Sequence, residues 1–276
     1  MPEGHVTHRL AGALTAAFGG RTVGVTSPQG RFAAAAALLD GTVLTGAEAV
    51  GKHLFVDFEA ERVVWVHLGL IGKFLFAEAD AVRNPGTLRL RIEAGGTAAE
   101  LRGPQWCRLV TPSERDEVLL ASGPDPLRPD ADPERAWAAV RKTRRPIGAV
   151  LMDQAAFAGV GNIFRAEVLH RHRVDPFLPA NQLPRDVFEA IWADLVRLMA
   201  DAVDAGRIDT VRDEHLPESM GREPRVDRHG GEVYVYRRAG QACHACGSPV
   251  STELFVGRNL YWCATCQPSG AKGLVG

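Results

Sequence analysis

The sequence predicts an α+β protein: an N-terminal helix and a β-sandwich or barrel, then a helical region, then a closing β-hairpin. Three features predict it. Short alternating apolar segments run from Arg21 to Val110, a helical period runs from Pro133 to Ala205, and the pairs Cys243/Cys246 and Cys263/Cys266 stand sixteen residues apart.

The N-terminal helix is read over Glu3–Phe18, where Val6, Leu10, Leu14 and Ala17 recur at helical spacing and an acidic residue falls in the first turn. Strands are read at Arg21–Val25, Leu54–Phe58, Val63–Leu68, Lys73–Phe76, Leu88–Ile92 and Ala99–Leu101, punctuated by Gly and Asn-Pro-Gly. Pro124, Pro126, Pro129 and Pro133 forbid a continuing helix or sheet and mark a linker. Helices follow at Pro133–Arg141, Pro146–Ala156, Asn162–His172 and Arg185–Ala205, the last with Val187, Ile191, Leu195, Leu198 and Ala202 on one stripe. A polar passage, 207–231, is too charged for a core. Val233-Tyr-Val-Tyr236 reads as a short β segment, and 268–276 as a frayed tail.

A chain of 276 residues suffices for two domains, and 46% apolar with 24% charged residues excludes wholesale disorder or a collagen-like repeat. The longest unbroken apolar run, Phe32–Leu39, is far short of the roughly 18 residues of a membrane span. The start Met-Pro-Glu-Gly-His has no export pattern, so a cytoplasmic protein is expected, its five cysteines kept as thiols or metal ligands. Net charge is −1, which excludes a bulk polycation; yet 28 of the 32 Lys and Arg are arginines, whose planar fork suits phosphate.

Five motifs carry chemistry. The spacing of Cys243, Cys246, Cys263 and Cys266 fits a closed tetrathiolate holding one structural Zn2+, with a hairpin from Glu253–Val256 and Asn259–Trp262 between the knuckles. Gly159-Val160-Gly161-Asn162 places glycines ahead of an Asn N-cap, where exposed N–H groups and the helix dipole attract phosphate. Arg141–Arg145 and Arg165–Arg173 make its surroundings cationic. Removal of Met1 would leave Pro2 as a secondary α-amine, with a typical pKa of about 8 against about 10.4 for lysine, and Glu3 beside it as a proton donor or acceptor. Lys52 precedes a strand, and the His67–Gly72 loop offers Leu70 and Ile71 as a wedge for a base stack. Cys107 reads as a small buried apolar group.

In their joint order Pro2-Glu3-Gly4, Gly51-Lys52, the His67–Gly72 loop, Asp153-Gln154 with Gly159–Asn162, and the four cysteines with Gly257-Arg258 between them resemble the formamidopyrimidine-DNA glycosylase and endonuclease VIII family over nearly the whole chain. The resemblance implies an N-terminal catalytic β-sandwich domain at 1–123, a linker at 124–134, a helix-two-turn-helix DNA-binding domain at 135–232, a zinc finger at 233–267 and a disordered tail at 268–276. It implies Pro2 as Schiff-base nucleophile, Glu3 as its acid/base partner and Lys52 as the catalytic lysine. Asn162 and Arg258 become phosphate grips, and Leu70 part of the wedge. The partner it implies is damaged double-stranded DNA, bound by a monomer without a nucleotide cofactor or a membrane.

The implied activity is base-excision repair by a bifunctional DNA glycosylase/AP lyase. Pro-Glu-Gly-His is more similar to the endonuclease VIII branch, which favours oxidised pyrimidines. Leu68-Gly69-Leu70 and Thr210–Asp213 share texture with the oxidised-purine branch, and a damaged-DNA binding protein without catalysis is a further alternative.

Overall fold

The computed structural model describes residues 2–80, 85–227 and 231–273. Two compact units divide the chain, Met1–Ala121 and Ser122–Gly276.

In the first unit, α1 (Gly4–Phe18) buries Leu14 and Phe18 completely. Its inner face is completed by His5, Thr7 and Ala11; Val6, Leu10 and Ala17 are only half-buried beside it, so the face is turned from the expected stripe. The Thr7 hydroxyl tolerates burial because it donates to main-chain carbonyls. Glu3 occupies the N-cap, ahead of the first turn where the acid was expected, and its side chain makes no cap bond.

Among the described residues of this unit eight strands follow: β1 (Arg21–Thr26), β2 (Thr42–Val50), β3 (His53–Phe58), β4 (Arg62–His67), β5 (Lys73–Glu78), β6 (Leu88–Ala94), β7 (Thr97–Arg102) and β8 (Trp106–Val110). Their order is β5-β7-β6-β1-β2-β3-β4-β8. β1 joins the halves: Arg21–Val23 pair with β2, whereas Gly24–Thr26 pair with β6. The sheet thereby folds over itself as a sandwich around Val23, Leu44, Leu54, Val66, Leu90 and Leu101. The alanine-rich run forms α2 (Ala33–Leu39), and α3 (Pro112–Ala121) packs Val118 and Leu119 on the outer face at Phe55, Val63 and Val110.

The second unit begins with an extended stretch in which Ser122–Pro126 are buried; Gly123 N donates to Gln154 O at 2.9 Å and Ala158 N to Pro124 O at 3.1 Å. α4 (Pro133–Arg141) starts at Asp132, whose carboxylate accepts from Glu134 N. α5 (Ile147–Val150) is shorter than the expected 146–156 helix. The side chains of Asp153 and Gln154 take the N–H groups of Ala155 and Gly159 and curl the chain into turns. α6 (Asn162–Arg171) and α7 (Arg185–Ala205) form the helical core, α7 burying its expected stripe and ending at left-handed Gly206. α8 (Pro217–Met220) interrupts the charged passage; the Arg228–Gly230 part of that passage lies outside the described residues.

Val233–Tyr236 is not a strand. The N–H groups of Tyr234, Val235 and Tyr236 converge on the buried Glu167 carboxylate of α6 at 2.7–2.9 Å, which leaves none for a ladder. β9 (Ser251–Phe255) and β10 (Arg258–Trp262) make the closing hairpin. The tail differs from expectation up to Gly273: Asp175 N donates to Ala271 O, Gly270 N to the Asp175 carboxylate, and Lys272 bridges Val174. Among the described residues no helix is long and apolar enough to cross a membrane.

Candidate active site and nucleic-acid interface

β2 and β3 pair in register up to Val50 and His53, so Gly51-Lys52 is a two-residue hairpin loop. Gly51 takes φ 56°, open to glycine without strain, and Lys52 stands at the tip. The head of α1 is fastened to this loop: Thr7 Oγ1 lies 2.6 Å from Gly51 O and 2.8 Å from Gly4 O and shares its proton between them. Pro2, half-buried, and Glu3, fully buried, thus sit on a helix start tied to the lysine turn. Met1 lies outside the described residues.

The same end of the sheet carries an aromatic row that the sequence reading passed over. His53, His67 and Trp106 are register partners across β3, β4 and β8, with Trp65 one step inward. His67 stacks on Trp106 with centroids 4.5 Å apart, and Trp65 Nε1 donates to His53 Nδ1 at 3.1 Å. Burial, then His67 and the Lys52 charge, push the His53 pKa down to about 4; burial and Lys52 also lower that of His67. The period of two along a strand, which puts His53 with Phe55 and Trp65 with His67 on one face, was the signal that could have found the row. Gly69 N donates to His67 Nδ1 at 3.1 Å, and Gly69 takes φ 67° where a Cβ would lie 2.9 Å from the Gln105 Cβ. Beyond this anchored start Leu70 and Ile71 protrude, 61% and 82% exposed, as a wedge would require. Cys107 is buried, its thiol pushed up to about 12 by burial.

In the second unit the Gln154 side chain organises the glycine turn, its Oε1 accepting from Gly159 N and its Nε2 donating to Val160 O and Met152 O. Gly161, not Asn162, is the N-cap of α6. Asn162 is the first helical residue; its Nδ2 donates to Asn259 O at 2.9 Å, and its Oδ1 accepts from Arg165. That bond sets Asn162 against the start of β10, where Arg258 stands, so the two expected phosphate contacts are neighbours. The expected cationic surround is thinner than the sequence suggested. Arg165, His170 and His172 are buried, and Arg171 is locked to Asp194 at 2.5 Å; Arg141, Lys142, Arg144, Arg145 and Arg173 remain exposed.

The Sγ atoms of Cys243, Cys246, Cys263 and Cys266 all lie within 4.8 Å of one another, Cys243–Cys266 at 3.9 Å and Cys246–Cys263 at 3.4 Å. Thiolates about 2.3 Å from a tetrahedral zinc would be spaced by roughly 3.8 Å, so the donor set fits that ion. The Cys243 and Cys263 carbonyls accept from Gly247 N and Gln267 N at 2.8 Å, the tight turns of two knuckles.

A glycine-turned helix start bonded to the cysteine hairpin in the second unit, and a helix head tied to a lysine turn in the first, are features that an enzyme processing nucleic acid would need. Residues 1–105 match the formamidopyrimidine-DNA glycosylase N-terminal domain and residues 122–213 the formamidopyrimidine-DNA glycosylase H2TH domain. The chain belongs to this family of DNA repair glycosylases with AP lyase activity, and it binds DNA. It is 45% identical over 274 residues to endonuclease 8 1 of Mycobacterium tuberculosis, covering 97% of this chain and 100% of the relative. It is 30% identical over 239 residues to the formamidopyrimidine-DNA glycosylase of Thermus thermophilus, covering 85% and 86%. The fold is also that of the Lactococcus lactis formamidopyrimidine-DNA glycosylase bound to DNA containing an AP site: TM-score 0.78 at 20% identity, over 97% of this chain and 100% of that one.

Proposed function

We propose that this glycosylase excises oxidised pyrimidines through an N-terminal proline Schiff base and then cuts the strand by β and δ elimination. The observation that supports the reading is the Thr7–Gly51 bond, which ties the head of α1, next to Pro2, to the Lys52 turn. After Met1 removal, the lone pair of the Pro2 secondary amine attacks the sugar C1′. The bond from C1′ to the base breaks and the base leaves, taking up a proton. Transfer of the amine proton and opening of the sugar ring, whose oxygen takes up a proton, give a cationic iminium; loss of a C2′ proton into this electron sink expels the 3′ phosphate, and loss of a C4′ proton then expels the 5′ phosphate. Glu3, buried next to this amine, exchanges protons with the leaving base or the ring oxygen, and Lys52 approaches the backbone beside the lesion.

Asn162 and Arg258 hold flanking phosphates, and Leu70 fills the stack once the base is flipped out, at a cost of a few kcal/mol. Zinc in the four-cysteine site is structural, because a closed thiolate set leaves no position for a substrate water. The pyrimidine preference is supported by the Pro-Glu-Gly-His start and by the likeness to endonuclease 8 1; the lower likeness to formamidopyrimidine-DNA glycosylases supports oxidised purines as the second reading.

Sodium borohydride is expected to trap a protein–DNA adduct on oligonucleotides carrying thymine glycol or dihydrouracil, more than on 8-oxoguanine. Peptide mass mapping should place it on the segment beginning at Pro2. An adduct mapped to Lys52, or none in protein shown by intact mass to lack Met1, would overturn the mechanism. Faster cleavage of 8-oxoguanine would overturn the preference alone.

A further inference from the structure

α6 meets the cysteine-bearing segment along one face: Asn162 bonds Asn259, Glu167 collects the N–H groups of 234–236, and His170, a turn further on, reaches Cys243. His170 Nε2 lies 3.3 Å from Cys243 Sγ, with both residues buried, and its ring stacks on Tyr234 with centroids 4.6 Å apart. Nδ1 is also buried and has no hydrogen-bond partner among the described residues. A proton on Nδ1 would leave an N–H unpaired and turn the Nε2 lone pair onto sulfur. A proton on Nε2 leaves only an unpaired acceptor and donates to sulfur, which costs less.

We propose that His170 is a positioning residue of the four-cysteine centre: its Nε2–H donates to the Cys243 thiolate and ties the first knuckle to α6. The proposal rests on the zinc reading above. Four thiolates around a dication carry a net charge of −2, and an N–H···S bond spreads part of it into a neutral ring without adding a competing ligand.

The test uses the full chain loaded with one equivalent of zinc and a competing chromophoric chelator. His170→Phe keeps the ring stack and removes the donor; His170→Gln keeps an N–H near the position of Nε2. Zinc affinity should fall about 10- to 100-fold in the Phe variant and be largely restored in the Gln variant, a pattern that packing alone would not give. In wild-type protein loaded with cadmium-113, a scalar coupling between the metal and the His170 Hε2 proton should be present, and this reading does not depend on either variant folding. Equal affinities in wild type and the Phe variant, or a ring protonated only at Nδ1, would overturn the role of His170. A wild-type chain that takes up no zinc would instead overturn the metal reading beneath it.

Discussion

At the scale of single residues, the end of the sandwich that carries Lys52 is built on histidines that stay neutral. His53 accepts a hydrogen bond from Trp65 through Nδ1, so protonation must break that bond as well as charge a buried ring. Its pKa drops from 6.5 to about 4 on folding, and that of His5, buried in the first turn of α1, does the same. The unfolded chain therefore binds more protons below pH 6.5. The contribution of these rings is complete above that value and is lost as pH falls from 6.5 towards 4, at up to about 1.4 kcal/mol per pH unit for each. Denaturant unfolding at pH 7 and pH 5 should show this loss. It should be smaller in His53→Gln, whose amide oxygen can still accept from Trp65; an unchanged slope would contradict the assignment.

At the scale of elements, the hairpin that presents Arg258 is closed by Val256 and Gly257, both at positive φ, 49° and 70°. The second position has glycine; the first has a β-branched residue in a conformation that costs about 1–3 kcal/mol, while its side chain is 64% exposed and returns little by packing. Val256→Asn supplies the residue that such a turn favours and should stabilise the hairpin by about 1 kcal/mol, read as a higher melting temperature. A lower one would show that Val256 makes contacts that outweigh its strain. Elements governed by local signals were legible: α7 from its stripe, α4 from its start at Pro133, the knuckles from cysteine spacing. Those governed by irregular local bonding or by distant partners were not. β2 has a bulge between Leu44 and Gly46 and little alternation, α5 stops where side chains capture N–H groups, and 233–236 are drawn to Glu167 from another helix. The site followed the same rule. Pro2, Lys52 and the cysteines stand out in sequence, whereas the His53–His67–Trp106 row exists only once three strands come into register.

For the whole molecule, the decisive feature is that, among the described residues, each unit has its own core and the four-cysteine cluster belongs to that of the second. Among the described residues, the clusters around Leu14, Leu54 and Leu90 and around Phe55 lie wholly in the first unit. Cys243, Cys263 and Cys266 are buried in one cluster with Ile163, Phe164, Val168 and Leu169 of α6 and the stripe of α7. The cysteine knuckles are thus packed into the helical core. Removal of the proposed zinc should loosen α6, which carries Asn162, because apolar packing and the bonds from Glu167 and His170 of α6 to the cysteine-bearing segment hold the two together. Scanning calorimetry should resolve two transitions. A tight chelator should lower the one belonging to the second unit by at least about 3 kcal/mol, roughly 10 °C, and leave the other in place. Helical circular dichroism should fall with the lowered transition. Loss of hairpin tyrosine and tryptophan signals from Tyr261 and Trp262 with the helices intact would show that metal stabilises the hairpin alone. Equal lowering of both transitions would show that the two cores do not unfold independently.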